Sequence, residues 1–421
     1  MRSIEYMRAN KNKVANAAKN KNRNVDVDKI VALDDKRRQL TRQSQSLRQQ
    51  RNELAKKPFT ESIRQQGKQI KDDLRKIEND LLKVENEMNQ LVAFVPNVPL
   101  DNVPIGKDAT GNAVIKTWGE PTVFDFTPLS HIDLGRKLDL FNLERGTKVS
   151  GFRGYFLKNA AAQLHLALLM YGFNRLVDKG YVPMIAPALV KEFAFFGSGH
   201  FPWSQDDVYQ TNEPGLYLSG TAEVPVMAYY SGETFDKTAL PKKIVALSPC
   251  FRKEAGSYGK DTHGLYRVHE FWKVEQVIIA QPDLEEAKRL HQELQENTET
   301  MLQELGLPYR VMMMCTGEMG EPQIFKHDTE VWMPSRQSYG EVASNSILGD
   351  FQSRRLKIKC RRPDGKTEFC YSLNNTALAS PRLLIALLEN HQQADGSINL
   401  PAVLHHYLGK KVIKAPESAT A

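Results

Sequence analysis

Charged and aromatic side chains are concentrated in the stretch FRKEAGSYGKDTHGLYRVHEFWKVE, residues 251–275, where a glycine-containing loop separates two strand-like ends. Side chains two positions apart on a strand share a face, so Arg252 and Glu254 are expected to project together. On the second strand, one face is expected to carry Arg267, His269, Phe271, Lys273 and Glu275. The opposite face is mostly apolar, except for Glu270.

This charged face has two interpretations. A sheet edge in contact with water would carry such charges, but the strand continues into VIIA, which indicates a central position in the sheet. Charges are seldom buried without a function, which favours a polar pocket. Arginines bind phosphates, an aromatic ring stacks on a base, and carboxylates accept hydrogen bonds from amines. The combination predicts a pocket for a nucleoside triphosphate.

Other common sites are excluded by motifs that the sequence lacks. It has no GxxxxGK[ST] phosphate loop, no HExxH and no GxSxG. GSGHFP, at 197–202, lacks the third glycine of a dinucleotide-binding loop and is interpreted as an ordinary loop. The four cysteines have no zinc-ligand spacing, and we interpret them as reduced packing residues: Cys250, Cys315, Cys360 and Cys370.

No segment predicts association with a membrane. The longest apolar run, near LHLALLMYGF, is interrupted and far shorter than the roughly 20 residues that span a bilayer. The basic N-terminus lacks the apolar centre of a secretory signal. We therefore expect a cytoplasmic protein without a membrane partner.

The N-terminal quarter carries the positive excess of the chain. Residues 1–95 hold 22 Lys and Arg against 13 Asp and Glu, whereas the remainder holds 35 against 37. Apolar residues recur there every seven positions, as in coiled coils: Leu33, Leu40, Leu47 and Leu54, then Ile63, Ile70, Ile77, Val84 and Leu91. Pro58 cannot continue the first helix, and Thr60 or Ser62 can cap the second. The pattern predicts an antiparallel coiled-coil hairpin over about 29–95.

The basic hairpin also has two interpretations. It could contact the phosphates of an RNA, or it could be a solvated coiled coil that binds a protein or nothing. Charge alone does not decide, because coiled coils are routinely rich in Lys and Arg. In the first interpretation the phosphate contacts are Arg37, Arg38, Arg42, Arg48, Arg51, Arg64, Lys68, Lys71 and Arg75.

A Pro- and Gly-rich connector, PNVPLDNVPIGKDATGNAVIKTWGEP, predicts a domain boundary near residue 103. The arm would then occupy 1–103 and a larger domain 104–421. The larger domain mixes helices and strands without a βαβ repeat, and its strands are joined by hairpins. This predicts an α+β fold, an antiparallel sheet flanked by helices.

Four segments together resemble class II aminoacyl-tRNA synthetases, in the bacterial-type form of the seryl-tRNA synthetases. The opening stretch resembles motif 2, GYVPMIAPALV resembles motif 1, and NNTALASPRLLIALLENHQ resembles motif 3. LSGTAEVP resembles the serine-binding TxE loop of that family, and the hairpin resembles its tRNA-binding arm. The resemblance covers nearly the whole chain, and four ordered motifs are far more specific than one.

The resemblance implies a cytoplasmic homodimer that uses ATP and Mg²⁺ to join L-serine to tRNA(Ser) through a seryl-adenylate, with tRNA(Sec) as a further candidate substrate. The implied catalytic residues are Arg252, Arg382 and Glu341. The implied ATP-binding residues are Arg252, Glu254, Arg267, Phe271, Glu341, Ser344 and Arg382, with Glu341 and Ser344 also holding the metal. The implied serine-binding residues are Thr221, Glu223, Arg252, Glu275, Asn374 and Thr376.

Three positions depart from the usual family pattern: Glu270 replaces a usual Gln, Ala343 a common Ser, and Ile347 a common Asn. Ile347 is expected in the active-site region, where it would change the details of serine binding. Two alternatives stay open: a non-catalytic paralogue that binds RNA or protein through the arm, and a ligase that charges a carrier protein. The retained charged residues argue against the first, and the long basic arm against the second.

Overall fold

The computed structural model describes residues 3–255 and 263–415. The chain forms two compact units, one ending at Val98 and the other beginning at Pro99. The domain boundary that the sequence predicts, near residue 103, lies a few residues further on and stays a prediction. None of the described helices is both long and apolar enough to cross a bilayer.

The first unit is helical. Its helices are α1 (Ile4–Ala9), α2 (Lys11–Asn20), α3 (Val27–Leu54) and α4 (Glu61–Ala93). The side chain of Thr60 caps α4 by accepting a hydrogen bond from the backbone N–H of Ile63, as predicted. Ion pairs join Lys29 to Glu87 and Arg48 to Glu78, and this order makes α3 and α4 an antiparallel hairpin.

The apolar seam of the hairpin is buried unevenly. At its base, α1 and α2 pack on the hairpin around a core that includes Met7, Val14, Ile30, Met88 and Val92. Further along, Leu40 and Leu47 are only half-buried. The predicted heptad pattern therefore forms the hairpin, and the cluster of buried apolar residues lies at its base.

The second unit combines helices and strands. Its α-helices are α5 (His131–Lys137), α6 (Leu143–Ser150), α7 (Asn159–Asp178), α8 (Glu192–Ser198), α9 (Glu223–Tyr229), α10 (Leu284–Glu304), α11 (Phe351–Leu356), α12 (Arg382–Asn390) and α13 (Ala402–Leu408). Its strands are β1 (Ala113–Trp118), β2 (Phe141–Asn142), β3 (Phe156–Leu157), β4 (Val182–Ile185), β5 (Leu189–Lys191), β6 (Tyr209–Gln210), β7 (Leu216–Leu218), β8 (Thr234–Phe235), β9 (Lys242–Phe251), β10 (Glu270–Ala280), β11 (Tyr309–Met313), β12 (Phe325–Met333), β13 (Ser338–Gly349), β14 (Lys359–Arg361), β15 (Thr367–Phe369), β16 (Tyr371–Ser380), β17 (Ile398–Asn399) and β18 (Val412–Ile413).

Within the described residues, eight strands form the main sheet in the order β1-β11-β12-β13-β16-β10-β9-β4. β4 runs parallel to β9, and every other neighbouring pair is antiparallel, so the predicted α+β class is confirmed. β10 lies between β16 and β9, the central position that VIIA predicts. Polar side chains of α10 and the sheet contact each other on one face, including Thr298 with Gln276 and Asn375.

The strand limits correct one expectation from the sequence. β9 ends at Phe251 and β10 begins at Glu270. Arg252, Glu254 and Arg267 therefore lie in the segment that joins the strands, not on the strands themselves. The predicted loop between Ala255 and Tyr266 lies partly outside the described residues.

The cysteines are buried thiols in the described chain. Cys360 and Cys370 belong to one apolar cluster with Ile358 and Ile279, and burial raises the pKa of both thiols. A thiol that stays protonated in an apolar cluster behaves as a small packing group, which agrees with the interpretation from the sequence.

Candidate active site

One cleft on the main sheet gathers all the predicted site residues of the second unit. They are Thr221, Glu223, Arg252, Glu254, Arg267, Phe271, Glu275, Glu341, Ser344, Asn374, Thr376 and Arg382. The neighbouring strands β10, β16 and β13 supply the floor, because alternate side chains of each strand project to the same face. The segments that follow β9 and precede β10 supply further walls.

Two arginines that line the cleft are held in fixed positions. The Arg252 guanidinium lies over the Phe271 ring, 5.2 Å from its centroid, and its Nη2 donates to the carbonyl of Gly220 at 3.3 Å. The Arg382 guanidinium lies 4.3 Å over the Tyr266 ring, and its Nη1 donates to the carbonyl of Glu341 at 2.7 Å. Stacked planar guanidinium groups of this kind present their remaining N–H groups to an anion, so these two arginines suit phosphates.

A third cation, Arg267, forms an ion pair with Glu254. The backbone of Glu254 has a φ of 55°, in the left-handed region that non-glycine residues rarely adopt. Functional sites often contain such strained residues. The conformation and the ion pair together fix the carboxylate of Glu254 at the wall of the cleft.

The carboxylates of Glu223 and Glu275 also line the cleft. Lys273 forms an ion pair with Glu275, and its Nζ donates to Oγ1 of Thr221 at 2.9 Å. Burial, and then the nearby charge of Glu275, raise the pKa of Glu223 to about 7. Lys273 is the ammonium group that faces both carboxylates. A small ligand with an ammonium group would find two acceptors here.

Glu341 and Ser344 both line the cleft although they are three positions apart on β13. On the neighbouring strand, Thr329 pairs with Ala343 and Glu330 with Glu341, so β13 has one extra residue between Glu341 and Ala343. This β-bulge lets the side chains of Glu341 and Ser344 project to the same face. Burial opposes ionisation of Glu341, but the charges of Arg382 and Lys326 outweigh it, so the pKa of Glu341 lies below its ordinary value.

The oxygen atoms near Glu341 are suitable ligands for a hard cation such as Mg²⁺. A carboxylate and a hydroxyl line this part of the cleft, and Oδ1 of Asp328 is buried without a hydrogen-bond partner among the described residues. Nevertheless, no group of three or more His, Cys, Asp or Glu in 3–255 and 263–415 could hold a metal by itself. A cation here would need ligands from a substrate as well.

Several residues of the cleft were missed or misplaced by the sequence interpretation. His200, Tyr266 and Gln323 line the cleft without having been predicted. The only signal for His200 was the loop GSGHFP, which was set aside because it lacks a third glycine. His269 was expected beside Phe271 but lines a different surface hollow, together with Trp272.

Two of the three departures from the family pattern lie outside the cleft. Ile347 is fully buried in the main core and pairs with Leu373 and Phe325, so the expectation that it lies in the active site is wrong. Glu270 is exposed beside the same hollow as Trp272, and its backbone carbonyl accepts a hydrogen bond from Tyr155 at 3.0 Å. Ala343 does line the cleft.

The nine predicted RNA contacts of the arm are of two kinds. Arg37 and Arg38 are ion-paired with the fully buried Asp34, as is Arg8. Burial opposes ionisation of Asp34, but these guanidinium groups lower its pKa overall. The other seven predicted contacts are exposed: Arg42, Arg48, Arg51, Arg64, Lys68, Lys71 and Arg75. Two of these seven, Arg48 and Arg64, form ion pairs on the surface.

The fold is that of a class II aminoacyl-tRNA synthetase core. The family model of the tRNA synthetase class II core domain (G, H, P, S and T) matches residues 206–391. The model of the seryl-tRNA synthetase N-terminal domain matches residues 1–99, which contain the helical hairpin.

Known proteins narrow the class to one family. The serine–tRNA ligase of Deinococcus radiodurans is 41% identical over 98% of this chain and 99% of its own length. The crystal structure of seryl-tRNA synthetase from Pyrococcus horikoshii complexed with ATP superposes with a TM-score of 0.92, at 35% identity, over 99% of this chain and 100% of that one. The cytoplasmic serine–tRNA ligase of Naegleria fowleri in complex with AMP gives a TM-score of 0.88 at 31% identity, over 98% and 97%. The chain belongs to the seryl-tRNA synthetase family.

Proposed function

We propose that the chain is an ATP-dependent serine–tRNA ligase. The observation that carries the proposal is one cleft that combines fixed arginines with the carboxylates of Glu223 and Glu275. ATP and serine are a polyanion and an ammonium compound that must meet, and this arrangement fits both. The relatives named above, at 31–41% identity, support the same conclusion.

The first step of the proposed reaction activates serine. A carboxylate oxygen of serine attacks the α-phosphorus of ATP, the bond to the β-phosphate breaks, and pyrophosphate leaves. Arg252 would bind the α-phosphate and the serine carboxylate together, and Arg382 would bind the tail phosphates. Both arginines are held by aromatic rings and backbone carbonyls of the protein, and preorganised charge of this kind is a large contribution to catalysis.

The remaining residues bind and orient the substrates. Phe271 would stack on the adenine ring, and Glu254 would accept from its amino group. Glu275 would accept from the serine ammonium group, while Asn374 and Thr376 would lie near the serine hydroxyl. Hydrogen bonds to that hydroxyl would discriminate against amino acids that lack it.

We propose Mg²⁺ as the cation at Glu341 and Ser344. The ionised carboxylate and the hydroxyl supply oxygen ligands, and Mg²⁺ commonly takes its other ligands from water and substrate phosphates. When bound, the cation would neutralise charge on the ATP phosphates.

The second step transfers serine to RNA. The 3′-hydroxyl of the terminal ribose attacks the carbonyl carbon of seryl-adenylate, the ester forms and AMP leaves. We propose that tRNA(Ser) is the acceptor and that the basic arm binds it through phosphate contacts, with tRNA(Sec) as a further substrate to test. A cytoplasmic location follows from this role in translation.

We also propose that the protein acts as a homodimer. β4 is an edge strand of the main sheet, and large apolar side chains are exposed on it and near it, including Ile185 at 74%, Leu189 at 48% and Phe193 at 52%. Contiguous exposed apolar surface of this kind commonly marks a protein interface. Replacing Ile185 by Asp is expected to give a monomer in light-scattering measurements, and an unchanged mass would count against this edge as the interface.

The experiment that tests the function has two stages. Serine-dependent exchange of pyrophosphate into ATP measures the first step without RNA, and charging of purified tRNA measures the second. The proposal requires both activities. Exchange without tRNA charging would favour a carrier-protein ligase, and no exchange with serine would refute the ligase function.

A further inference from the structure

His200 lines the cleft, but none of the roles proposed above uses it. It follows the end of α8 and is half-buried, with its imidazole open to the cleft. The ring packs edge-on against Phe195, at a centroid distance of 6.3 Å and an interplanar angle of 90°. The charges of Arg252 and Lys273 both act on it, so it lies near the proposed serine site.

Hydrogen bonds behind the ring define which imidazole nitrogen faces the substrate. The Ser198 hydroxyl donates its single proton to the carbonyl of Phe195 at 3.1 Å. With the hydroxyl proton placed there, its oxygen, 2.9 Å from Nδ1 of His200, is assigned as the acceptor from an Nδ1–H group. The opposite nitrogen, Nε2, then carries a lone pair, and among the described residues it has no hydrogen-bond partner.

The position of Ser198 is itself fixed by a buried amide. Nε2 of Gln352 donates to the Ser198 carbonyl at 2.9 Å and to Oε1 of Glu223 at 2.6 Å. The hydroxyl of Ser372 on β16 donates to Oε1 of Gln352 at 2.8 Å. Gln352 thus ties the segment that carries His200 to the same strand and helix that hold the serine site.

Burial, helped by the charges of Arg252 and Lys273, lowers the pKa of His200 to about 4. The ring is therefore neutral at physiological pH. A base this weak is poorly matched to taking a proton near pH 7, whereas a neutral acceptor suits an uncharged donor such as a hydroxyl group. The ammonium group of serine is better matched by Glu275 and Glu223.

We propose that Nε2 of His200 accepts a hydrogen bond from a substrate hydroxyl at the amino-acid end of the cleft. The inference rests on the proposed function, in which two such hydroxyls reach this end: the side chain of L-serine and the terminal ribose of the tRNA. Ser198 is the positioning residue, because it acts through the imidazole and not on the substrate.

Two variants of His200 separate hydrogen bonding from simple packing. His200→Leu fills the space without an acceptor, whereas His200→Gln retains an amide oxygen of similar reach. The measurements are the KM for serine in pyrophosphate exchange and the single-turnover rate of transfer from preformed seryl-adenylate to tRNA. His200→Leu should change one of them by about tenfold, and His200→Gln should stay within about threefold of wild type.

The two measurements distinguish the sources of the hydroxyl. A raised KM for serine with His200→Leu identifies the serine hydroxyl, and slower transfer with unchanged exchange identifies the ribose. Ser198→Ala, which releases Nδ1, should give a smaller loss in the same measurement. His406→Gln, at an exposed histidine of α13, is the matched control and should change neither.

Two results would overturn this role of His200: no effect of His200→Leu on either measurement, or a loss in His200→Gln as large as in His200→Leu. Thermal unfolding of each variant shows whether a loss reflects an unfolded protein, and the Gln variant is the one expected to retain the fold. If the wild-type enzyme itself showed no serine-dependent exchange, the proposed function would fall instead.

Discussion

The cleft and the arm both depend on arginine, but they hold it in different ways. In the cleft, Arg252 and Arg382 each stack on an aromatic ring and donate to a backbone carbonyl, so contacts within the protein set their geometry. In the arm, Arg42 and Arg51 are exposed on one long helix. The cleft suits a small ligand that needs exact placement, whereas the arm suits a long polyanion, for which the number of charges matters more than the position of each.

At the base of the arm, arginine has a third role, which is to neutralise a buried carboxylate. Arg37 and Arg38 neutralise Asp34, which is completely buried. A buried carboxylate without its partners would cost considerable stability, so these two arginines support the fold of the arm whatever else they contact. The nine basic residues are therefore not equivalent, and substitutions in the arm should have graded effects.

The largest effect is expected in the cleft, from Arg252→Ala. Removing one preorganised charge from the reacting phosphate should lower kcat/KM for serine-dependent exchange by about 10³-fold. Arg252→Lys keeps the charge but loses the planar fork, and it should recover only part of the activity. Arg289→Ala, at an exposed position of α10, is the control and should match wild type. Exchange within threefold of wild type in Arg252→Ala would refute the assigned role.

A smaller but more selective effect is expected from shortening the arm. Residues 42–79 can be replaced by a short Gly-Ser turn, which leaves the core around Met7, Ile30 and Met88 in place. This removes seven of the nine proposed phosphate contacts, so kcat/KM for tRNA charging should fall by about 10²-fold. Exchange, which needs no RNA, should stay within twofold. A folded variant that lost both activities together would show that the two regions are not functionally separate.

The carboxylate of Glu223 should make serine binding depend on pH. Because the pKa of Glu223 is raised to about 7, this group is ionised above pH 7 and protonated below it. Its attraction for the serine ammonium group is therefore present at high pH and lost as the pH falls. The KM for serine should rise by about tenfold between pH 8 and pH 6.

Glu223→Gln provides the control for this dependence. The amide does not titrate, so the variant should show a raised but nearly constant KM for serine over the same range. A wild-type KM that did not change between pH 8 and pH 6 would mean that Glu223 does not bind the ammonium group through its charge.

The alternation of side chains along a strand correctly predicted some residues of the cleft. The same rule, applied to Ile347, would have excluded it from the cleft. The alternation placed Phe271, Lys273 and Glu275 on one face of β10, and all three line the cleft. Ile347, by contrast, was expected in the site only from the resemblance. It lies three positions from Ser344, an odd spacing that puts the two on opposite faces of a regular strand, and the structure buries it in the core.

The rest of the cleft depended on contacts that no local pattern contains. Glu341 and Ser344 share a face only because a β-bulge lies between them. In a regular strand, two residues three positions apart would project to opposite faces. His200 reaches the cleft through contacts with Ser198 and Phe195 at the end of α8. The fold class was predictable because the order of the motifs and the hairpin-joined strands can be recognised from local sequence patterns. Bulges and loop positions depend on tertiary packing, which those patterns do not contain.

The smallest expected effect is the difference between substitutions of two arginines in the arm, Arg42 and Arg48. Arg42 is exposed and without an ion pair among the described residues, whereas Arg48 is also exposed but forms an ion pair with Glu78 on the facing helix, at 2.8 Å. Binding to RNA releases counterions in proportion to the charge that the protein supplies, and Glu78 already offsets part of the charge of Arg48.

Arg42→Ala should therefore lower kcat/KM for charging by about threefold and reduce the slope of its salt dependence by about one. Arg48→Ala should do less of both, and neither should affect exchange. If the two variants were equally impaired, the ion pair with Glu78 would have to open when RNA binds. If Arg48→Ala were the more impaired, Arg48 would be placed by Glu78 for a specific contact, and the arm would resemble the cleft in positioning its arginines in advance.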